Sequence, residues 1–148
     1  MSETLVIKSL NISDRNGIKK TPIPQVELDG QGLVGDSHAG DWHRQVSLLG
    51  LESYGRFAEQ TGRALRPGDF AENLTTEGVE LKDTKVGDRF VAEHIELEVT
   101  QIGKKCHFGC EIIKEAGACI MPKEGIFCRV IRGGTLEPGD VLHYQHCG

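Results

Sequence analysis

Five Gly-Asp pairs punctuate this chain, at Gly35-Asp36, Gly40-Asp41, Gly68-Asp69, Gly87-Asp88 and Gly139-Asp140. Glycine admits positive φ and an aspartate carboxylate accepts nearby backbone N–H groups, so each pair marks a tight turn. Turns at this density leave room only for short elements, and the segments beside them read as strands. "DRFVAE" follows Gly87 and "DVLHYQH" follows Gly139; further candidates are 4–13, 25–30, 44–50, 94–103 and 125–134. In "IELEVTQI", Ile95, Leu97 and Val99 alternate with Glu96, Glu98 and Thr100, the period-two pattern of a strand with one buried face. Many short strands with regular turn signals predict a mainly β fold, a barrel-like closed sheet.

Two segments depart from that pattern and predict a few short α-helices. From Leu51 to Leu65 the apolar residues Leu51, Tyr54, Ala58 and Leu65 recur at helical spacing, weakened by Gly55 and Gly62, with Pro67 expected to end the helix. "CEIIKEA", residues 110–116, predicts two further helical turns. No linker or repeat interrupts the sequence, so residues 1–148 are expected to form a single domain.

Composition narrows the classes. Only 5% of residues are aromatic, so the core is expected to be built from Val, Ile and Leu. No apolar run is long enough to span a membrane, and the N-terminus lacks the features of a secretion signal, so a cytoplasmic location is expected. In that compartment the five cysteines read as thiols or ligands, not as a disulfide framework. A net charge of −5 argues against nucleic-acid binding, although a local Lys/Arg cluster can still hold a small anion.

The chemistry concentrates in four stretches: "GLVGDSHAGDWHRQVSLL", "RPGDFAENLTTEG", "QIGKKCHFGCEI" and "MPKEGIFCRVIRGG". Cys106 follows Lys104 and Lys105, and an adjacent cation lowers a thiol pKa by favouring the thiolate; Lys104 shares its face of an extended chain. Two other readings stay open. Cys106 can be a small buried hydrophobe, or it can join Cys110, Cys119 and Cys128 in a zinc site. The C-x3-C spacing suits zinc and the C-x8-C spacing does not. In the first stretch, Asp36, His38, Asp41 and His43 resemble a solvated loop more than a metal cluster. Ligand contact by His38 and by Arg44, which can bond an anion bidentately, is the more plausible role there. Asn73 reads as a strand-end cap or a pocket residue, and Arg129 and Arg132 as a solvated strand face or an anion contact.

Taken together, "GLVGDSHAG…RQVSLL", "RPGDFAENLTTEGVEL", "KVGDRF", "LEVTQIGKKCH" and "MPKEGIFCRVIRGG…PGD" resemble the MOSC family, named for the C-terminal domain of molybdenum cofactor sulfurase. The likeness runs from about residue 30 to 141 and is closest to the small standalone bacterial and archaeal members. It implies a β-barrel that holds molybdenum cofactor (molybdopterin) or a sulfur cargo. Cys106 would be the reactive thiol, carrying a persulfide or binding molybdenum directly, with His38, Arg44 and Asn73 in the pocket. Lys104 and Arg129 join them as cofactor-binding candidates. The resemblance implies a role in molybdoenzyme maturation, with a sulfur donor protein or a molybdoenzyme as partner. Two alternatives are a molybdenum-dependent reductase of N-hydroxylated compounds and a non-catalytic zinc-stabilised interaction module. Whether the chain is an enzyme stays open; if it is, sulfur transfer or molybdenum-dependent reduction is the expected chemistry. No pyridoxal phosphate and no membrane partner are expected, and exposed strand edges leave room for a homodimer.

Overall fold

The computed structural model describes residues 3–15, 18–103 and 121–147. In chain order the strands are β1 (Glu3–Ile12), β2 (Thr21–Ile23), β3 (Val26–Asp29), β4 (Gly32–Leu33), β5 (Val46–Gly50), β6 (Leu74–Glu77), β7 (Arg89–Val91), β8 (Glu96–Ile102), β9 (Ile126–Arg132), β10 (Gly134–Leu136) and β11 (Val141–Gln145). Seven of them close into a barrel in the order β11-β7-β8-β9-β5-β6-β1, with β1 returning to pair with β11. Strand β2 extends β1 beyond the ring, and β10, β3 and β4 form a small flanking sheet.

Within the ring the pair β5–β6 is parallel, with Leu48 opposite Leu74. Parallel neighbours need a crossover, and helix α1 (Leu51–Thr61) supplies it. This explains why "VSLLG" lacks alternation: the barrel interior covers one face, α1 covers the other, and all five residues are buried. Leu5, Ile7, Leu48, Leu74, Phe90, Leu97, Val99, Ile126 and Leu142 belong to the main core cluster. Leu49, Tyr54, Phe57, Phe70 and Phe127 form a second cluster, at the α1 side. The alternation read in β8 is present, with Leu97 and Val99 fully buried and Glu96 and Glu98 at partial exposure.

The helix ends earlier than expected from Pro67. Gly62 adopts φ 74° and its N–H donates to the Ala58 carbonyl at 2.9 Å, so a left-handed glycine cap stops α1 at Thr61. The expected helix over 110–116 lies outside the described residues. Among the described residues, no helix is long and apolar enough to cross a membrane.

Three of the five Gly-Asp turns share one construction. In Arg66–Asp69 the Asp69 N–H donates to the Arg66 carbonyl (3.0 Å), and the Arg66 N–H donates back to the Asp69 carboxylate (2.8 Å). The turns Lys85–Asp88 and Glu137–Asp140 repeat both bonds. Gly68 must be glycine: its φ is 91° and a Cβ would lie 2.4 Å from the Lys20 carbonyl oxygen.

Candidate functional site

The segment from Asp36 to Gln45 is held at both ends. The Asp36 carboxylate is buried; Oδ1 accepts from Lys20 Nζ (2.7 Å) and the Ser13 N–H (3.0 Å), and Oδ2 accepts from the His38 N–H (3.0 Å). Burial by itself pushes this carboxyl up. The hydrogen bond and charge of Lys20, with help from Asn73 and the His38 N–H, outweigh burial and hold Asp36 below the usual carboxylate range. At the other end, Gln45 Nε2 donates to the carbonyls of Gly30 and Gly40, and its Oε1 accepts from the Val130 N–H on β9.

Between these anchors the side chains form a stack. Trp42 Nε1 donates to the His38 carbonyl at 2.8 Å, which fixes the indole. The Arg44 guanidinium lies 4.7 Å from the Trp42 ring centroid and 5.6 Å from that of Phe127. Arg44 Nε is buried and has no hydrogen-bond partner, and the guanidinium forms no hydrogen bond or ion pair with a described residue. Among the described residues this half-buried cation is contacted by aromatic faces alone, and a guanidinium's forked N–H donors suit a planar oxyanion.

This segment docks on the end of β8. His43 Nε2 and Gln101 Oε1 are 2.8 Å apart, Thr100 Oγ1 donates to the His43 carbonyl, and the Gly103 N–H donates to the Gly125 carbonyl (2.8 Å). Gly103 is the last described residue before Lys104. A cleft of about 270 Å³ beside the stack is lined by Asp41, Trp42, His43 and Arg129, among others. The fold thus brings His43 to the strand end that precedes Lys104 in sequence, with Arg44 beside it over Phe127 and His38 anchored in the same loop. Trp42 and Gln101, which sequence reasoning did not single out, complete the arrangement. Their only sequence signal was proximity to the motifs.

Two other expected site residues are engaged by protein groups, Asn73 in the interior and Arg129 at the cleft wall. Asn73 is fully buried and engaged by protein groups: its Oδ1 accepts from the Ser47 N–H (3.0 Å) and Ser47 Oγ (3.1 Å), while Nδ2 donates to the Asn11 carbonyl (3.2 Å). The strand-cap reading describes this geometry, because the carboxamide ties β5 and β1 to the start of β6. Arg129 stands on the outer face, where Nε donates to Glu98 Oε1 at 2.9 Å in a ladder of ion pairs with Arg89, Glu96 and Arg132. Its charge is offset by Glu98, whereas no described acid pairs with Arg44. Cys128 is a core residue with 0% exposure, opposite Val46 and Val99 in the barrel, and burial pushes its thiol far up. The proposed fourth zinc ligand therefore sits in apolar packing. Cys106, Lys104, Cys110 and Cys119 lie outside the described residues. Among the described residues no group of three or more His, Cys, Asp or Glu is arranged to hold a metal.

Beside Asn73 the chain is strained. Ala71 has φ 66°, in the left-handed region that disfavours a Cβ by about 1–2 kcal/mol. Glycine at this position gains flexibility in the unfolded chain, which offsets part of that relief. Ala71→Gly is therefore expected to stabilise the fold by roughly 0.5–1 kcal/mol, read as a higher urea midpoint at unchanged slope.

A closed barrel carries a polar loop docked at the end of β8, and in that loop an arginine has no hydrogen bond or ion pair to a described residue. The sequence matches the model of the MOSC domain over residues 35–143, and the chain belongs to that family. The family is associated with molybdenum-cofactor-related function. The solved YuaD protein from Bacillus subtilis shares the fold at 20% identity, with a TM-score of 0.86 over 100% of this chain and 99% of that one. YiiM from Geobacillus stearothermophilus is similar at 24% identity and TM-score 0.73, over 94% of this chain and 74% of its own. YiiM from Escherichia coli follows at 19% identity and TM-score 0.68, over 100% and 71%. No curated protein matches the sequence significantly.

Proposed function

We propose that this chain holds molybdenum cofactor, or sulfur carried as a persulfide on Cys106, for the maturation of a molybdoenzyme. The observation that carries the reading is Arg44: a guanidinium fixed between Trp42 and Phe127, without a hydrogen bond or ion pair to a described residue. Leaving a half-buried cation without an anion is unfavourable, and the phosphate of the cofactor is an oxyanion that a guanidinium bonds in a fork. Three peptide units separate Gly103 from Cys106, a covalent reach of about 11 Å, so the thiol is tethered to the same strand end. Bound cofactor would supply a molybdenum centre with affinity for soft sulfur ligands. Arg44 would hold its anionic end, with His38 and His43 at the rim, and Asn73 would keep the supporting strands in register. As a sulfur carrier, the Cys106 thiolate attacks the outer sulfur of a donor persulfide, forming the Cys106 persulfide and releasing the donor's thiolate. Lys104 would favour the thiolate form.

Protein produced in molybdate-containing medium tests the reading by intact-mass and metal analysis. The wild type is expected to retain pterin and molybdenum or one extra sulfur; Cys106→Ala is expected to lose the sulfur. Arg44→Gln is expected to retain less pterin and keep the persulfide. A wild-type protein that carries neither cargo would end the proposal, and one zinc per chain would favour the metal-stabilised module instead.

A further inference from the structure

The turn Leu33–Asp36 breaks the rule kept by its three sisters. Asp69, Asp88 and Asp140 each bond the first N–H of their own turn, whereas Asp36 directs both carboxylate oxygens elsewhere. The backbone turn itself is retained, since the Asp36 N–H still donates to the Leu33 carbonyl at 3.1 Å. A carboxylate not needed for its own turn is therefore free to organise the next segment, and it is held by Lys20, with side-chain exposures of 1% for Lys20 and 0% for Asp36. We propose that Lys20 is a positioning residue of the anion site, holding through Asp36 the loop that presents His38, Trp42 and Arg44. The inference rests on the reading of Arg44 as the anion-binding group.

The connection runs through named contacts. Lys20 Nζ donates to Asp36 Oδ1 and to Ser13 Oγ (3.0 Å); Asp36 Oδ2 accepts the His38 N–H; the His38 carbonyl accepts Trp42 Nε1; and Trp42 covers Arg44. The charged or titratable groups facing Asp36 among the described residues are Lys20 at 2.7 Å and His38, whose Nδ1 is 3.9 Å from Oδ2; Ser13 and Asn73 are neutral neighbours. Removing the Lys20 cation leaves a buried carboxylate uncompensated, and such a group takes up a proton. A protonated Asp36 has less capacity to accept, so the bonds to the His38 and Ser13 N–H groups weaken and the loop loses its anchor.

The chain contains a single tryptophan, so its emission reports Trp42 directly. Emission and orthophosphate affinity are to be measured between about pH 8 and 5 for the wild type, Lys20→Met and the double variant Lys20→Met/Asp36→Asn. The double variant removes both buried charges and protects the test against unfolding of the single one. Both variants, folded by circular dichroism, are expected to show red-shifted Trp42 emission. Their phosphate binding should be about tenfold weaker, as at metal sites that lose an outer partner. In Lys20→Met the deficit relative to wild type should grow as pH falls, because Asp36 becomes protonated; in the double variant it should not change with pH. Wild-type emission and affinity in the folded variants would overturn the proposal, and so would a pH-independent deficit in Lys20→Met. If the wild type binds no phosphate, the anion-site reading fails, and the emission shift with its pH dependence alone decides the role of Lys20. If Lys20→Met does not fold, the emission and affinity of the double variant decide it.

Discussion

Glu72→Gln is expected to abolish a loss of stability that the wild type suffers as pH rises from about 4.5 to above 7. Glu72 is fully buried; its Oε2 accepts from Tyr54 Oη and Thr75 Oγ1, both at 2.7 Å. The N–H groups of Gly68 and Glu72 lie near the carboxyl, yet Oε1 receives no well-formed hydrogen bond from a described residue. Burial pushes this carboxyl from its ordinary 4.5 up to about 7, against the lowering effect of its donors. The sign follows from proton counting: between those two values the folded state holds a proton that the unfolded state has released, so stability falls with rising pH. The loss is on the order of 3 kcal/mol once pH exceeds the folded value, or roughly 10 °C in Tm. Urea unfolding at several pH values should show that slope in the wild type and a flat line in the glutamine variant; an equal slope in both would refute the assignment to Glu72. Asp36 and Asp88, both held below the usual carboxylate range, act in the opposite sense and give way only in acid. Maximum stability is therefore expected on the mildly acidic side of neutrality.

Asn73→Ala is expected to cost about 3–5 kcal/mol, a large share of the stability of a domain of this size. Alanine leaves the Ser47 N–H, the Ser47 hydroxyl and the Asn11 carbonyl without their present side-chain partner in a water-free setting. These groups lie where the parallel pair β5–β6 meets β1, so the damage falls on the crossover that α1 spans. A urea midpoint within 1 kcal/mol of wild type would show that the carboxamide is dispensable for the fold and return it to the list of ligand contacts. Arg44→Gln provides the contrast. With no bond to a described residue to lose, it should leave the midpoint nearly unchanged while weakening anion retention.

Sequence pattern placed the strands well because its signals are local. Alternation in 94–103 and the Gly-Asp turns depend on neighbours within a few residues, and β8 and the turns at Gly68, Gly87 and Gly139 follow them. The helix end was misjudged because Pro67 is a visible stop, whereas Gly62 acts through a left-handed cap that a glycine in a helical pattern does not announce. His38 and Arg44 were legible as candidates from residue type. The contrast between Arg44 and Arg129 was not, since both are arginines beside strands. The position of Glu98, thirty-one residues before Arg129, pairs that arginine with an acid, whereas no described acid pairs with Arg44.

By itself the sequence determined that this chain is a mainly β protein cut by tight turns, and its motifs carried the family. Tertiary structure alone decided which polar residues are spent on the fold. Asn73, Glu72 and Cys128 are enclosed by strands distant in sequence, and burial removes the water that would otherwise satisfy them. Arg44 is held against Trp42 and against Phe127, the latter eighty-three positions away, and no described residue bonds its guanidinium. Local pattern dictates backbone conformation, but whether a polar side chain supports the fold or serves a ligand depends on partners that only the closed barrel brings together.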